Sequence, residues 1–420
     1  MIYKLSNKLV DILLVFMLVM SSGGMLFVFN RNISTIVFLF FLLIVLFFFG
    51  SSFKRINFNS SLFTLSSFFL LGTINYFFAL FDQTVNKYFF YFLSVFLSTL
   101  ILFHFNNNRS HNIFIKTLYA VLKLIAIHAT LNFFLFFLFR NNLIDVVATK
   151  NAYETLFNIF FYAQERGIVN IYGLEFCRNQ GLFWEPGILQ IFLNIFFFIQ
   201  AFIIKRNRKI LLWIGFLILT TYSTTGLALL LFQTVFYLKR ELSRNKLVIP
   251  IIISLMLPVY FIFTQNVENK IEGEKESSFQ KRLFDLTQPF FIALDNPITG
   301  VGLDLYKFQE IREEFYVNSN TLSNLYSFFG VDQKIEFTDR GSSNSITFLL
   351  AATGFPTTII LIYMFFKQTI IRERKWLWMT IIVMSVISEP LLLRPFFLLF
   401  IVSGFMQFFN RVLLHDKQLT

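Results

Sequence analysis

The sequence predicts an all-α integral membrane protein with about twelve transmembrane helices and a large helical loop outside the cytoplasm. The chain is 56% hydrophobic and only 14% charged, and 63 of its 420 residues are phenylalanine. Apolar runs of about twenty residues, the length that crosses a bilayer, recur from end to end. A soluble chain of this size would instead divide into domains joined by charged, turn-rich linkers. Only two long stretches, roughly 140–186 and 266–343, have that composition.

The apolar runs divide the chain into helical and polar parts. The expected spans lie near residues 12–29, 34–50, 62–80, 87–105, 118–139, 187–204, 210–222, 225–238, 247–265, 344–366, 376–389 and 391–409. The first run has no convincing small-residue cleavage site, so we expect a retained helix rather than a signal peptide. The resulting divisions are N-terminal helices (1–139), a first extracytoplasmic segment (140–186), central helices (187–265), the large loop (266–343) and C-terminal helices with a tail (344–420).

Residues 210–238 are too long for one span and short for two. Basic loops at 205–209 and 239–246 flank them, and both loops can be cytoplasmic only if the chain enters the membrane and returns. We therefore predict two short helices that meet at "TTYSTTG". The polar backbone of that turn must be shielded by protein or face a wet cavity. One tilted helix is the alternative.

The basic residues indicate the orientation. With both termini in the cytoplasm, the short loops that are richest in Lys and Arg all become cytoplasmic, as the positive-inside rule requires. The net charge of +12 has the same explanation, so no nucleic-acid partner is expected. Both long polar segments then lie outside the cytoplasm. Their Lys and Arg residues do not conflict with the positive-inside rule, because the rule applies only to short loops. Their cations indicate an anionic ligand on that side.

Metal, disulfide and nucleotide chemistry find no support in the sequence. Cys177 is the only cysteine, so neither an intrachain disulfide nor a cysteine-based metal site can form. The four histidines do not pair at metal-ligand spacing, and there is no P-loop or dinucleotide fingerprint. We expect no metal and no cofactor.

The stretch "RNQGLFWEPG" places Arg178 a few residues before a membrane entry. Gly181 permits an unusual backbone. Glu185 and Pro186 predict the start of a helix, because proline fits the first turn and a carboxylate suits the positive end of the dipole. Arg178 either binds a ligand or contacts lipid headgroups. Glu185 likewise has a structural and a functional interpretation.

In the large loop, residues 282–310 predict an amphipathic helix, a turn at Asp295-Asn296-Pro297, and a glycine pair. Gly300 and Gly302 would let the backbone approach another group closely. On its own this "GVG" is a weak signal.

Four stretches in series resemble the superfamily of O-antigen ligases and Wzy-type O-antigen polymerases. They are "RNQGLFWEPG", "TTYSTTGLALL", "RLFDLTQPFFIALDNPITGVGLDLY" and "SSNSITFLLAATGFPTTIILIYMFF", which span residues 178 to about 366. The resemblance implies a GT-C-like glycosyltransferase of the inner membrane. Such enzymes join undecaprenyl-diphosphate-linked oligosaccharides on the periplasmic face without a metal or a nucleotide sugar. Membrane lipids, a chain-length regulator and a flippase of the same pathway are the other implied partners.

The resemblance also implies roles for individual residues. Arg178 and Arg282 match the family's two important arginines, whose guanidinium groups would hold the lipid diphosphate. Glu185 is the candidate general base. The expected substrate-binding positions are Gly181, Ser223, Thr225, Gly300, Gly302 and Asn344.

The sequence departs from the ligase pattern in two positions. Ser343 stands where ligases carry a histidine, and Thr357 replaces a later one, which favours a polymerase over a ligase. The family's arginine near the Ser/Thr-Gly turn is also missing. A ligase, a lipid-phospho-sugar transferase and a polysaccharide flippase remain the alternatives. A transporter would concentrate polar residues and helix breaks at mid-membrane depth in paired halves, whereas the halves of this chain differ.

Overall fold

The computed structural model describes residues 2–49, 54–108, 111–145, 153–156, 161–164, 167–171, 174–242, 264, 276–318, 327 and 342–419. The chain is about 79% helical, which confirms the predicted helical class. The helices of the described residues are α1 (Ile2–Met20), α2 (Met25–Phe29), α3 (Arg31–Phe49), α4 (Arg55–Phe78), α5 (Val85–Asn108), α6 (His111–Phe139), α7 (Pro186–Phe198, continued by a π-helical turn over Ile199–Ile203), α8 (Arg208–Thr220), α9 (Thr224–Leu242), α10 (Glu276–Asp295), α11 (Leu305–Asn318), α12 (Ser345–Phe366), α13 (Lys375–Ser388) and α14 (Pro395–Leu419).

Short antiparallel strands lie between α6 and α7, where we predicted no strands from the sequence. They are β1 (Ile144–Asp145), β2 (Tyr153–Leu156), β3 (Phe161–Gln164), β4 (Ile168–Ile171) and β5 (Leu174–Cys177). The sheet order is β1-β2-β3 in one ribbon and β4-β5 in the other. The register of the second ribbon pairs Ile168 with Cys177, so the strand that ends it delivers the chain directly to Arg178.

Seven helices of the described residues are long and apolar enough to cross a membrane, namely α3, α4, α5, α6, α7, α12 and α14. The apolar helices α9 and α13 are shorter. These helices establish a multi-pass membrane protein. The expected span at 247–265 lies, apart from residue 264, outside the described residues.

The predicted first span, 12–29, is wrong in its bounds. Helix α1 ends at Met20, and a turn over residues 21–24 separates it from the five-residue α2. The sequence "SSGG" explains the break, because Gly23 has a φ of 137° that a helix cannot contain. The prediction of two helices within 210–238 is confirmed: α8 ends at Thr220 and α9 begins at Thr224.

The described contacts divide the chain into two compact units. Unit 1 comprises Met1–Phe38, Asn112–Asn269 and Glu373–Ser385. Its central helix is α7, which packs against α8 and α9 and buries nearly all of its side chains. Unit 2 comprises Leu39–His111, Lys270–Arg372 and Val386–Thr420. In it, α4, α5 and α14 pack together, and α10 lies along α12.

Helix α12 of unit 2 contains a break, and the segment 300–302 that holds the glycine pair donates hydrogen bonds to it. Gly354 has φ 73° and ψ 173°, and Pro356 has no N–H to donate to the carbonyl of Ala352. The backbone N–H groups of Val301 and Gly302 donate instead to the carbonyls of Ala351 and Ala352, both at 2.9 Å. The "GVG" segment therefore approaches another part of the backbone closely, and it does so to satisfy carbonyls that the helix break leaves open.

We expect Gly300→Ala to lower the free energy of unfolding by about 2 kcal/mol. A Cβ at this position would lie 2.4 Å from the carbonyl oxygen of Ala351, and the φ of 69° disfavours any side chain. Chemical unfolding of the purified protein in detergent measures the loss. Gly215→Ala in α8 is the matched control, since a Cβ there meets nothing within 4 Å. Equal stability of the two variants would contradict the assigned role of Gly300.

Candidate functional site

The polar turn between α8 and α9 is shielded by the segment that begins at Arg178. Nε of Arg178 donates to the carbonyl of Thr221 at 3.1 Å. The backbone N–H of Asn179 donates to the carbonyl of Thr220 at 2.9 Å, and its Nδ2 reaches the hydroxyl of the same threonine at 3.1 Å. Thr221 and Asn179 are buried. Hydrogen bonds from the protein therefore satisfy the polar backbone of the turn, which was expected to be shielded by protein or to face a wet cavity.

Asn179 ties this segment to the rest of unit 1. Its Nδ2 also donates to the carbonyl of Ala129 in α6 at 2.8 Å, and its Oδ1 accepts from the N–H of Gly181 at 3.2 Å. The same oxygen accepts from Asn132, whose side chain exchanges hydrogen bonds with the backbone of Tyr162 in β3. Burial raises the pKa of the Tyr162 phenol. Sequence reasoning did not identify the two asparagines, which organise this side of the unit.

Arg178 is half-buried at the end of β5. Its backbone N–H donates to the carbonyl of Gly167 at 2.8 Å, and the Nε bond to Thr221 fixes the plane of the guanidinium. Gly181 has a φ of 54°, which confirms the unusual backbone expected there. These constraints hold the arginine in one place, which is what a charged group needs if it is to bind an anion with geometric selectivity.

Helix α7 begins at Pro186, as predicted. The backbone carbonyl of Glu185 accepts from the N–H of Ile188 at 3.2 Å, but the Glu185 side chain does not cap the helix. The carboxylate is half-buried. Glu185 thus occupies the N-cap position expected for a carboxylate at the positive end of the helix dipole, without a capping hydrogen bond from its side chain.

Ser223 and Thr225 lie at the start of α9. The hydroxyl of Ser223 accepts from the N–H of Gly226 at 3.4 Å, so this buried serine serves as a helix cap. Thr225 follows in the first turn and is half-buried. The structure gives Ser223 a local role and leaves its predicted contact with substrate a prediction.

A chain of buried amides crosses between α7 and α9. Nδ2 of Asn194 donates to Oε1 of Gln190 at 3.0 Å, and Nε2 of Gln233 donates to Oδ1 of Asn194 at 2.8 Å. Gly226 lets α9 approach closely, because a Cβ there would lie 2.9 Å from the side chain of Gln190. Such amides join helices within a bilayer, where apolar packing alone gives little preference. Gln180 is fully buried as well, and neither of its amide atoms has a hydrogen-bond partner among the described residues.

Unit 2 contains a buried ion pair between α10 and α11. Nη2 of Arg312 lies 3.0 Å from Oδ1 of Asp285, and the two side chains are 9% and 1% exposed. Nε of Arg312 donates to Oε1 of Gln288 at 2.9 Å. The contact of Nη2 with Oδ1 is an ion pair rather than a hydrogen bond, and within the part of the chain that the structure describes Oδ1 of Asp285 has no hydrogen-bond partner. The same is true of Nη1 of Arg312.

Asp285 also holds the segment that leads into α12. Its Oδ2 accepts from the hydroxyl of Ser343 at 2.6 Å and from the N–H of the same residue at 2.8 Å. Its backbone carbonyl accepts from the hydroxyls of Ser342 at 3.0 Å and Thr347 at 2.9 Å. Ser343 is thus bound to a buried carboxylate through both its backbone N–H and its hydroxyl. Asn344 caps α12, with its Oδ1 accepting from the N–H groups of residues 346 and 347.

The predicted residues fall into both units. Arg178, Gly181, Glu185, Ser223 and Thr225 belong to unit 1, whereas Arg282, Gly300, Gly302 and Asn344 belong to unit 2. Arg282 is exposed, three residues before the buried Asp285 on α10. Asp285 and Arg312 were missed, although a signal exists. Each is a charged residue on the apolar face of an amphipathic helix, at helical spacing from Ile292 and Phe308 respectively.

Comparison with protein-family models, with curated proteins and with solved structures gives no match for this chain. The geometry therefore defines only the class, a predominantly helical, multi-pass membrane protein.

Proposed function

We propose that the protein is a polymerase of O-antigen or a related surface polysaccharide, located in the cytoplasmic membrane with both termini inside. It would transfer a growing glycan from its polyprenyl diphosphate carrier to the sugar hydroxyl of a fresh lipid-linked repeat unit. The bond between the reducing-end carbon and the phosphate oxygen breaks, and a glycosidic bond forms. The hydroxyl proton goes to a base or to water, and polyprenyl diphosphate leaves.

The pairing of motifs is the observation that carries this proposal. The stretches "RNQGLFWEPG" and "TTYSTTG" are about forty residues apart in sequence, yet Arg178 and Asn179 bind the turn of the second. In unit 2, the stretch that contains Asp285 and the glycine pair binds both ends of the stretch from Ser342 to Pro356. Each motif thus has another motif of the same series as its partner, which supports their interpretation as parts of functional sites rather than chance matches.

Arg178 is the strongest candidate for a catalytic residue. Its guanidinium stays charged and offers paired donors to the oxygens of a diphosphate, so it would stabilise the charge that develops as the sugar leaves. The exposed Arg282 would supply the second guanidinium. Glu185 remains the candidate base, because its half-buried carboxylate does not cap α7. Gly300, Gly302 and Asn344 would act indirectly, since their contacts shape α12.

Deletion of the gene, followed by complementation and a gel of the surface glycan, tests the proposal. A polymerase leaves a single-repeat band in the mutant and restores the ladder on complementation. Loss of every glycan band in the mutant would indicate a flippase or a ligase instead. As a second readout, purified protein in liposomes should lengthen lipid-linked repeat units. Movement of labelled lipid across the liposome without lengthening would contradict the proposal.

A further inference from the structure

Three buried polar atoms of α10 and α11 in unit 2 lack a hydrogen bond. Among the described residues, Oδ1 of Asp285, Nη1 of Arg312 and Oε1 of Gln309 have no hydrogen-bond partner. The side chains of Asp285 and Arg312 are only 1% and 9% exposed, so bulk water does not solvate their charges. Gln309 lies three residues before Arg312, a spacing that places two side chains on one face of a helix. Unsatisfied buried groups destabilise a fold, and charged ones most of all, so this cluster needs an explanation.

The cluster reaches the surface of unit 2 at two residues. Gln309 and Ser343 are half-buried, whereas Asp285 and Arg312 are buried. The hydroxyl of Ser343 donates to Oδ2 of Asp285 at 2.6 Å, so its oxygen can still accept a hydrogen bond from a ligand. The exposed Arg282 lies one turn before Asp285 on α10. A ligand that contacts Gln309 or Ser343 therefore lies next to the ion pair.

The three atoms determine which ligand chemistry fits. Nη1 of Arg312 is a donor, whereas Oδ1 of Asp285 and Oε1 of Gln309 are acceptors. The ionised diphosphate of a lipid carrier has no proton to donate, and an ammonium group accepts none, so each would satisfy only one kind of atom. A hydroxyl group both donates and accepts. The charges of Asp285 and Arg312 cancel, which also favours a neutral ligand with several hydroxyls.

We propose that Asp285, Gln309 and Arg312 form a subsite that binds neighbouring hydroxyl groups of a neutral sugar. Nη1 of Arg312 donates to one sugar oxygen, and the sugar hydroxyls donate to the carboxylate of Asp285 and the amide oxygen of Gln309. The inference rests on the proposed function, in which Arg282 binds the carrier diphosphate. Since Arg282 and Asp285 share a face of α10, the sugar of this subsite is the one attached directly to that diphosphate, at the reducing end of the donor glycan.

Gln309→Met tests the subsite without removing the ion pair. Methionine has the length of glutamine without its amide, and no described residue bonds the oxygen that is lost, so the stability should stay the same or rise. Glu310→Gln, on the exposed side of α11, is the matched control. The probe is the oligosaccharide that mild acid releases from lipid-linked repeat units. In isothermal titration calorimetry, wild type and Glu310→Gln should bind it equally, and Gln309→Met about tenfold more weakly.

The double variant Asp285→Asn/Arg312→Met supplies the second measurement. It removes both buried charges together, which preserves most of the stability, and it should bind no oligosaccharide. Equal binding by Gln309→Met and wild type would overturn the subsite. A wild type that lengthens lipid-linked units but binds no oligosaccharide would also overturn it, with the polymerase proposal intact. A wild type that binds the oligosaccharide but lengthens nothing would instead reject the polymerase and retain the sugar subsite.

Discussion

Arg178→Ala should lower the formation of long glycan chains by about a hundredfold or more while single-repeat products persist. The expected loss follows from the removal of a rigidly placed guanidinium that, in the proposed reaction, would stabilise charge only as the carrier diphosphate departs. The contacts that place it include the bond from Nε to the carbonyl of Thr221 and the bond from its backbone N–H to the carbonyl of Gly167. Chain length on a gel and the initial rate with purified lipid-linked units measure the effect.

Two companion variants separate catalysis from folding. Arg178→Lys keeps the charge without the paired donors, so it should insert and fold like Arg178→Ala and recover little activity. Arg140→Ala removes another cation near the same segment, where Arg140 binds Glu175 at 2.8 Å on the surface. This hydrogen bond lowers the pKa of the Glu175 carboxyl, but both side chains are exposed, so activity should not change. Long chains made at normal levels by Arg178→Ala would reject the proposed role.

Asp285→Asn should lower the free energy of unfolding by about 3–5 kcal/mol, because it leaves the buried guanidinium of Arg312 without its counter-charge. Asparagine retains an oxygen that can still accept from Ser343, so the loss reports mainly on the ion pair. The double variant Asp285→Asn/Arg312→Met removes both charges and should recover most of the stability. Unfolding by denaturant in detergent measures all three proteins.

An exposed ion pair on α11, the helix that also holds Arg312, provides the control for these variants. Lys307 and Glu310 lie 3.0 Å apart, with 44% and 63% of their side chains exposed. Lys307→Met should therefore change stability by about 1 kcal/mol or less. If Asp285→Asn were no more harmful than Lys307→Met, the buried pair would not be holding α10 to α11.

Local pattern predicted most of the helices and the start of α7. Apolar runs of membrane length place α3, α5 and α12 within a few residues of their observed bounds, because hydrocarbon leaves a chain few other backbone solutions. Helices α4 and α6 begin at Arg55 and His111, earlier than the predicted starts at 62 and 118. The break between α8 and α9 also followed, since two basic loops had to share one side of the membrane. The first span failed, because two adjacent glycines ended α1 inside an apolar run.

Contacts between distant residues could not be predicted in this way. The carbonyl of Ala352 accepts from the side chain of Asn75, which is 277 residues away, and from Gly302. Nothing in the local sequence of either partner specifies that pairing. Similarly, Arg282 was selected by its position in the resemblance, whereas burial and ion pairing distinguish Asp285 and Arg312. The apolar neighbours of these two residues at helical spacing were the available signal.

Hydrogen bonds from Val301 and Gly302 to the backbone of α12 hold the bend next to Pro356 in place. A straightened helix would still lack a backbone donor of its own for Ala352, since proline cannot supply one, and the side chain of Asn75 and the N–H of Gly302 donate to this carbonyl instead. Withdrawal of Val301 and Gly302 would remove the N–H of Val301 from the carbonyl of Ala351 and one of the two donors from the carbonyl of Ala352, which costs free energy in a water-free interior. We therefore expect the segment 300–302 and the bent part of α12 to move as one rigid body in any conformational change of unit 2.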